Sequence, residues 1–326
     1  MTNNLLEVKN LKKYFPLKKG LLGSGKGEVR AVDNISFSIR EGDSFGLVGE
    51  SGSGKSTVAR TILRLVEPTE GEILWSGRDI CQLSESEMTG IRRNLQMIFQ
   101  DPHSSLNPRK TVFKSIAEPL MIHEKMRGKK IRETVLELLE IVGLKKEHMF
   151  RYPHELSGGQ KQRIGIARAL SLHPKLLILD ESTSALDVSV QAQMLNFLES
   201  LQKRLNLTYL YISHNLAVIR YACLTVGVMY LGKIVETGGA EKVFSSPRHP
   251  YTRALVSAVP LPQAEQTGEM ICLEGDIPSA THIPSGCRFH TRCPEKIGTI
   301  CEVVEPLLCN FTDGSQVYCH LYDSVK

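Results

Sequence analysis

At 326 residues, with 41% hydrophobic and 23% charged side chains, the chain has a globular composition and room for one large domain plus an appendage. Its net charge of +5 comes without a dense basic stripe, which argues against nucleic acid as a partner. No apolar run approaches the roughly 18 residues that span a bilayer, and the start, Met1 to Glu7, lacks the basic-then-apolar pattern of a secretory signal, so a cytoplasmic location is expected.

In chain order, Leu6-Glu7-Val8-Lys9 and Ser36-Phe37-Ser38-Ile39 alternate as half-buried strands, across a glycine-rich connection at Gly20 to Gly27. The lysines from Lys18 to Lys26 read as a solvated loop. The apolar run Phe45-Gly46-Leu47-Val48 follows, and directly behind it comes Gly49-Glu50-Ser51-Gly52-Ser53-Gly54-Lys55-Ser56-Thr57. This fits G-x-x-x-x-G-K-[ST] at the strand-to-helix turn that a phosphate-binding loop requires, and it points to ATP. Glycines let backbone N–H groups crowd round a phosphate chain, while Lys55 supplies a point charge and Ser56 a magnesium ligand. Lys55 to Val66 carries Val58, Ile62, Leu65 and Val66 at helical spacing and predicts a helix stopping at Pro68.

Leu95 to Phe99 predicts a strand ending at Gln100, with Pro102 and Pro108 marking the loop beyond. From Lys114 to about Leu172 the pattern is mostly helical: Ile131 to Val142 is amphipathic, Gly143 ends it, and Leu156-Ser157-Gly158-Gly159-Gln160 opens a helix that stops before Pro174. Leu176-Leu177-Ile178-Leu179 reads as a buried strand leading into Asp180-Glu181, and Tyr209 to Ile212 as another leading to His214, with the helix Val190 to Leu205 between them. Such alternation predicts an α/β fold, a mostly parallel sheet covered by helices, into which a helical subdomain of about residues 102–170 is inserted. Near Gly238 the composition shifts to prolines and cysteines, predicting a division into residues 1–246 and a loop-rich appendage, 247–326.

The order of phosphate loop, glutamine after a strand, LSGGQ, LLILDE, SALD and histidine after a strand resembles the P-loop ATPase subunit of an ABC transporter. The tail segments Arg248-His249-Pro250-Tyr251-Thr252-Arg253-Ala254-Leu255 and Pro284-Ser285-Gly286-Cys287-Arg288-Phe289-His290-Thr291-Arg292-Cys293-Pro294 resemble the C-terminal extension of dipeptide and oligopeptide importers. The long N-terminal insertion and the Ser184-Ala185-Leu186-Asp187 wording are similar to the F-type ATPase of that family. The resemblance implies ATP hydrolysis. Lys55 and the loop residues Gly49, Ser51, Gly52, Ser53, Gly54, Ser56 and Thr57 would hold the phosphates; Ser56, Asp180 and Gln100 would hold Mg²⁺. Glu181 would orient the attacking water, with Gln100 and His214 at the γ-phosphate. Phe15, with Tyr14 as second choice, would stack on adenine, although an aromatic after a strand is more often core. A bare core histidine is the plain alternative for His214, and a strand end for Asp180-Glu181.

Ser157, Gly158, Gly159 and Gln160, with Asp187, would close over ATP held by another subunit, because a helix N-terminus is an anion site. The family usually has Pro where Ser182 stands and Asp where Asn215 stands, departures expected to tune geometry rather than abolish hydrolysis and leaving room for an asymmetric dimer with unequal sites. Five of the eight cysteines, Cys287, Cys293, Cys301, Cys309 and Cys319, fall in the tail, which suggests metal in a cytosolic chain. The spacing lacks the paired C-x-x-C of common zinc sites; zinc with His290 or His320, iron–sulfur, and unligated thiols stay open. The resemblance implies a 4Fe-4S cluster on Cys287, Cys293, Cys301 and Cys319, with Cys309 spare. It also implies a D-type ATPase partner, two permease subunits, an extracytoplasmic binding protein, and peripheral attachment at the cytoplasmic face of the inner membrane. Import of nickel or another metal ion is the first alternative. A soluble ABC protein of DNA repair or translation would bring coiled-coil insertions or a second cassette, and a regulatory subunit with a dead site would not keep Lys55, Asp180, Glu181 and His214.

Overall fold

The computed structural model describes residues 4–17, 27–99, 106–181, 187–259 and 270–323. In chain order the first half holds β1 (Asn4–Pro16), β2 (Glu28–Arg40), β3 (Ser44–Val48), α1 (Lys55–Ile62), β4 (Glu70–Trp75), β5 (Arg78–Asp79), α2 (Glu85–Asn94), β6 (Leu95–Ile98), α3 (Val112–His123), α4 (Gly128–Ile141) and α5 (Gly158–Leu170). Next come β7 (Leu176–Asp180), α6 (Val188–Leu205), β8 (Thr208–Ser213), α7 (Leu216–Ala222), β9 (Thr225–Tyr230), β10 (Lys233–Gly239), α8 (Ala240–Ser245), α9 (Pro250–Ser257), α10 (Ile300–Val303), β11 (Leu308–Asn310) and β12 (Gln316–Tyr318). They fall into two compact units, one of Met1–Arg40, Ser44–Gln82 and Ile212–Lys326, the other of Glu41–Asp43 and Leu83–Tyr211.

The first unit holds an antiparallel sheet in the order β2-β1-β4-β5, where Val8 faces Phe37 on one side and Ile73 on the other. Period-2 alternation buries Leu6, Val8, Ile35, Phe37 and Ile39. The same unit carries the run β11-β12-β10-β9-β3. Here β3 lies parallel to β9, and its five residues are all buried, as a strand covered on both faces requires. The β9–β10, β10–β12 and β11–β12 pairs are antiparallel. Through β12 the C-terminal extension covers the edge of β10, pairing Val317 with Glu236 and closing off an exposed ladder.

In the second unit β6 runs parallel to β7, with Leu95 facing Leu176. Its helices bury Ile116, Leu120, Val135, Leu138, Leu139 and Ile164, the periodic positions of α3, α4 and α5. Gly143, at φ 69°, ends α4, as its position in the sequence suggests.

Two expectations change. The helix expected to run to Val66 stops at Ile62, because Arg64 turns left-handed at φ 49°. The Leu65 N–H then bonds the Arg60 carbonyl and the Arg64 N–H the Thr61 carbonyl, a two-bond helix stop usually built on glycine. The mostly parallel sheet is also an incomplete description: β6–β7 and β3–β9 are parallel, but the antiparallel sheet and the β9 to β12 strands lie outside that expectation. Leu231 at φ 41° and Gly232 at φ 83° make the tight β9–β10 turn, and a Leu-Gly pair gives a weaker hairpin signal than Asn-Gly. Among the described residues no helix is long and apolar enough to cross a membrane.

Candidate functional site

The phosphate loop joins buried β3 to α1 in the first unit. Gly49 and Gly54 have φ of 153° and 106°, and a Cβ on them would meet the Met229 and Ala31 carbonyl oxygens at 2.1 and 2.0 Å, so no larger residue fits either place. Lys55 is buried, and its ammonium donates to the carbonyls of Gly49 at 2.8 Å and Glu50 at 2.9 Å and to Ser53 Oγ at 3.2 Å. The Ser53 carbonyl accepts from the Gly232 N–H at 2.9 Å, tying the loop to the β9–β10 turn. Ser51 and Gly52 are exposed, while Ser56 and Thr57 are half-buried in the first turn of α1.

At the end of β1 the two candidate aromatics separate. The Tyr14 hydroxyl donates to Asp33 Oδ1 at 2.5 Å, and Arg288 binds the other oxygen of Asp33. Burial alone would push the Asp33 carboxyl up, but the Tyr14 hydroxyl and the Arg288 charge outweigh it and hold the group low. Burial and the same contact push the Tyr14 hydroxyl well above its usual range. Phe15 is half-buried, and among the described residues its ring meets Lys13 Nζ, 4.9 Å above it. His214 is exposed just past β8. Asn215 caps α7, its Oδ1 accepting from the N–H groups of Ala217 at 3.0 Å and Val218 at 3.4 Å. Asp and Asn share that acceptor, so the departure at this position preserves the cap.

In the second unit Asp180 ends β7 and is buried, and Glu181 follows at φ 46°, a left-handed conformation uncommon for a side chain of this kind. Ser157 caps α5 in a reciprocal box: its hydroxyl accepts from the Gln160 N–H at 3.3 Å, and its own N–H donates to Gln160 Oε1 at 3.1 Å. Ser157, Gly158, Gly159, Gln160 and Asp187 line one open cavity with Arg163 and Val190. Asp187 is exposed and caps α6 without a side-chain bond to the helix. The structure thus brings the LSGGQ segment and Asp187 together. Gln100 and Ser182 lie outside the described residues.

In the extension, burial raises the Cys293 thiol to about 11 and the Cys319 thiol to about 12, and raises Cys287 as well. Cys319 also feels Cys287, Cys293 and Cys301, so these four share one neighbourhood. Cys309 turns elsewhere, its Sγ 3.4 Å from the Tyr322 carbonyl. Among the described residues no set of three or more His, Cys, Asp or Glu side chains is gathered as a metal site, so the 4Fe-4S assignment of Cys287, Cys293, Cys301 and Cys319 gains no support from ready-made ligand geometry.

Sequence reasoning missed Asp33, Glu50, Tyr251, Arg288 and Arg292, which meet around the phosphate loop. Only proximity reveals them, because each lies far in sequence from its partner.

The sequence matches the ABC transporter family over residues 32–184 and the oligopeptide/dipeptide transporter C-terminal region over residues 235–301. The oligopeptide transport ATP-binding protein AppF of Bacillus subtilis is 50% identical over 321 residues, 98% of this chain and 97% of that protein. The di/tripeptide transport ATP-binding protein DppF of Pseudomonas aeruginosa is 44% identical over 316 residues, 97% of each. Among solved structures, cbiO1 from Clostridium perfringens, part of the ABC transporter complex cbiONQ, superposes with a TM-score of 0.65 at 27% identity, over 75% of this chain and 92% of that one.

Proposed function

The chain belongs to the ABC transporter ATP-binding family, in its oligopeptide/dipeptide branch, and we propose that it is the ATP-hydrolysing subunit of a membrane importer of dipeptides or oligopeptides. The observation that carries this is the phosphate loop, with Lys55 held across its carbonyls between two positions that accept only glycine. ATP is the substrate. Lys55 and the amides of Gly52 to Thr57 bind its β- and γ-phosphates, and Ser56, Asp180 and Gln100 hold Mg²⁺. Glu181 orients the attacking water, and its left-handed backbone supports that role, since strain of this kind persists where it has a use. His214 meets the γ-phosphate. Phe15 takes the adenine, a reading supported by the commitment of Tyr14 to Asp33.

Ser157, Gly158, Gly159, Gln160 and Asp187 close over ATP held by a second ATPase subunit, a D-type paralogue of this F-type chain. Their shared cavity wall and open first helical turn support this. Two permease subunits and an extracytoplasmic binding protein complete the importer, and the chain sits peripherally at the cytoplasmic face of the inner membrane. Reconstitution of these components in proteoliposomes is expected to couple ATP hydrolysis to peptide uptake. Uptake of nickel with no uptake of peptide would replace the cargo assignment.

The extension binds a 4Fe-4S cluster through Cys287, Cys293, Cys301 and Cys319. Support lies in the donor set: four thiols near enough to sense one another, with Cys309 turned away. A tetrahedral zinc at about 2.3 Å from each sulfur needs thiolates about 3.8 Å apart, whereas a cubane keeps them wider, so a cubane site need not look like a site for one ion. Bound there, the cluster supplies a cross-link for a proline-rich segment with little core of its own. Anaerobically purified chain is expected to be brown, with iron and sulfide in about equal amounts. Serine at any of the four positions bleaches it, and Cys309→Ser does not. Colourless protein with one zinc replaces the cluster by zinc, and freely alkylated thiols remove both.

A further inference from the structure

Glu50 is the second residue of the phosphate loop, where the pattern asks for no particular side chain. Every polar group it has is nonetheless engaged. Its N–H donates to the Tyr251 hydroxyl at 3.0 Å, and its carbonyl accepts from Lys55 Nζ at 2.9 Å and from the Ser53 N–H at 3.2 Å. Its carboxylate receives a fork from Arg292, Nη1 to Oε2 at 2.9 Å and Nη2 to Oε1 at 3.2 Å. The Arg292 side chain is 8% exposed and that of Glu50 25%, so water screens this pair less than an ordinary surface pair.

Arg288, one helical turn's length earlier in the sequence, makes a second grip. It donates to the Leu231 carbonyl and to Asp33. Leu231 and Gly232 form the turn whose Gly232 N–H holds the Ser53 carbonyl, and the Asp33 N–H bonds the Gly232 carbonyl at 2.8 Å. Between the two arginines Phe289 is 1% exposed, with its ring centroid 5.3 Å from that of Tyr230 and 5.4 Å from that of Tyr251. One short piece of the extension is therefore anchored in the core, touches the loop directly at Arg292, and reaches it at the Arg288 end through the β9–β10 turn.

We propose that residues 288–292 of the extension brace the phosphate loop, with Arg292 and Arg288 as positioning residues for ATP. This rests on the nucleotide reading above and adds a residue set to it. Two physical effects act together. A loop with Gly49, Gly52 and Gly54 all at positive φ loses much backbone freedom when it orders, and a brace that orders it beforehand removes part of that loss from binding. The second effect is charge: a bare carboxylate in a loop that gathers phosphates repels them, and Arg292 cancels it.

The two partners are therefore unequal. Losing Arg292 leaves both a loose loop and an uncompensated charge; losing both partners leaves only the loose loop. The test is MgATP binding to the full chain by calorimetry. Arg292→Gln is expected to weaken binding by about tenfold or more, and adding Glu50→Gln to it should restore at least about threefold, the reverse of additive damage. Arg292→Lys, which keeps the charge and loses the fork, falls between wild type and Arg292→Gln. Amide exchange at residues 50–55 should accelerate in Arg292→Gln while exchange in β11 and β12 is unchanged, which separates loop positioning from general loosening of the extension.

Binding within about twofold of wild type in Arg292→Gln, or additive losses in the double variant, overturns the brace. If Arg292→Gln does not fold, Arg292→Lys and Tyr251→Phe carry the test: wild-type affinity and wild-type loop exchange in both overturn it, and loss in both supports it. Lys55→Ala is the control. If it binds MgATP as tightly as wild type, the nucleotide reading fails and takes the brace with it; if Lys55→Ala loses binding and Arg292→Gln does not, only the brace fails.

Discussion

The phosphate loop and the Leu156 to Gln160 segment both lead into helix N-termini, but they are held to different degrees. Around the first, Tyr251, Arg292 and Gly232 bond the loop from outside it, and Lys55 ties it from within. In the second, Ser157 is exposed, Gly158 and Gly159 are half-exposed, and the described side-chain bonding is a capping box within the segment and one contact of Gln160 Nε2 with His148 Nε2 at 3.4 Å. A site that grips its ligand alone gains affinity when its loop is already ordered; one that meets a ligand carried by another subunit must keep its face open.

The largest expected effect tests whether chemistry lies with the carboxylate after β7. Glu181→Gln should lower ATP turnover of the assembled transporter by about a hundredfold or more while MgATP still binds. Undiminished hydrolysis would take Glu181 out of the mechanism. Ser157→Arg sharpens the contrast itself: transporter ATPase activity should fall by about tenfold or more, as blockage of an assembled catalytic surface predicts, with MgATP affinity of the isolated chain within about twofold. The opposite pattern would mean that the segment serves the chain's own nucleotide.

A third, smaller effect probes the more firmly held region by pH. His249 is 1% exposed at the start of α9, its Nδ1 accepting from the Tyr251 N–H at 3.1 Å. Burial, with the Arg253 charge adding to it, lowers its pKa from 6.5 to about 3. The unfolded chain therefore takes up a proton that the folded chain refuses, so stability is lost as pH falls from about 6.5 toward 3. Glu236, which accepts from the N–H groups of Arg248 and His249, has its carboxyl raised by burial and contributes in the opposite sense, losing stability as pH rises through the carboxylate range. The melting temperature should drop between pH 7 and pH 5, and His249→Asn, which keeps an acceptor for the Tyr251 N–H, should flatten that drop. The smallest effect is at the cap of α7. Asn215→Asp should leave the melting temperature nearly unchanged and change turnover by less than about twofold, because the same oxygen does the capping; a large change in either would mean that Asn215 has a role beyond the helix.

The contrast also marks where sequence is informative. The phosphate loop, the α5 cap and the buried run into Asp180-Glu181 are readable because each is a local pattern whose backbone geometry is set by its own residues. The left-handed stop at Arg64 is not, because arginine is an unusual choice there and the signal is a pair of carbonyl bonds. The antiparallel strands after β8 are hidden by a Leu-Gly turn and by consecutive buried positions in β9 and β10, which mask alternation. Glu50 and Arg292 stand 242 positions apart, and a carboxylate at a permissive loop position looks like ordinary surface until its partner is seen. Tyr251 and His249 sit in a segment whose family resemblance is plain in the sequence, yet nothing in that segment's own spacing says which distant backbone group they serve.

The pairing of Glu50 with Arg292 has a consequence in time. A ribosome makes Glu50 242 residues before Arg292, so an emerging chain carries Gly49 to Thr57 with the Glu50 charge uncompensated until the extension follows. If the brace holds, full competence for nucleotide waits for Arg292 rather than arising when the loop and α1 first appear. A stalled nascent chain ending before Pro247 should capture MgATP more weakly than one extended past Tyr322, and equal capture by the two would place competence at the earlier stage.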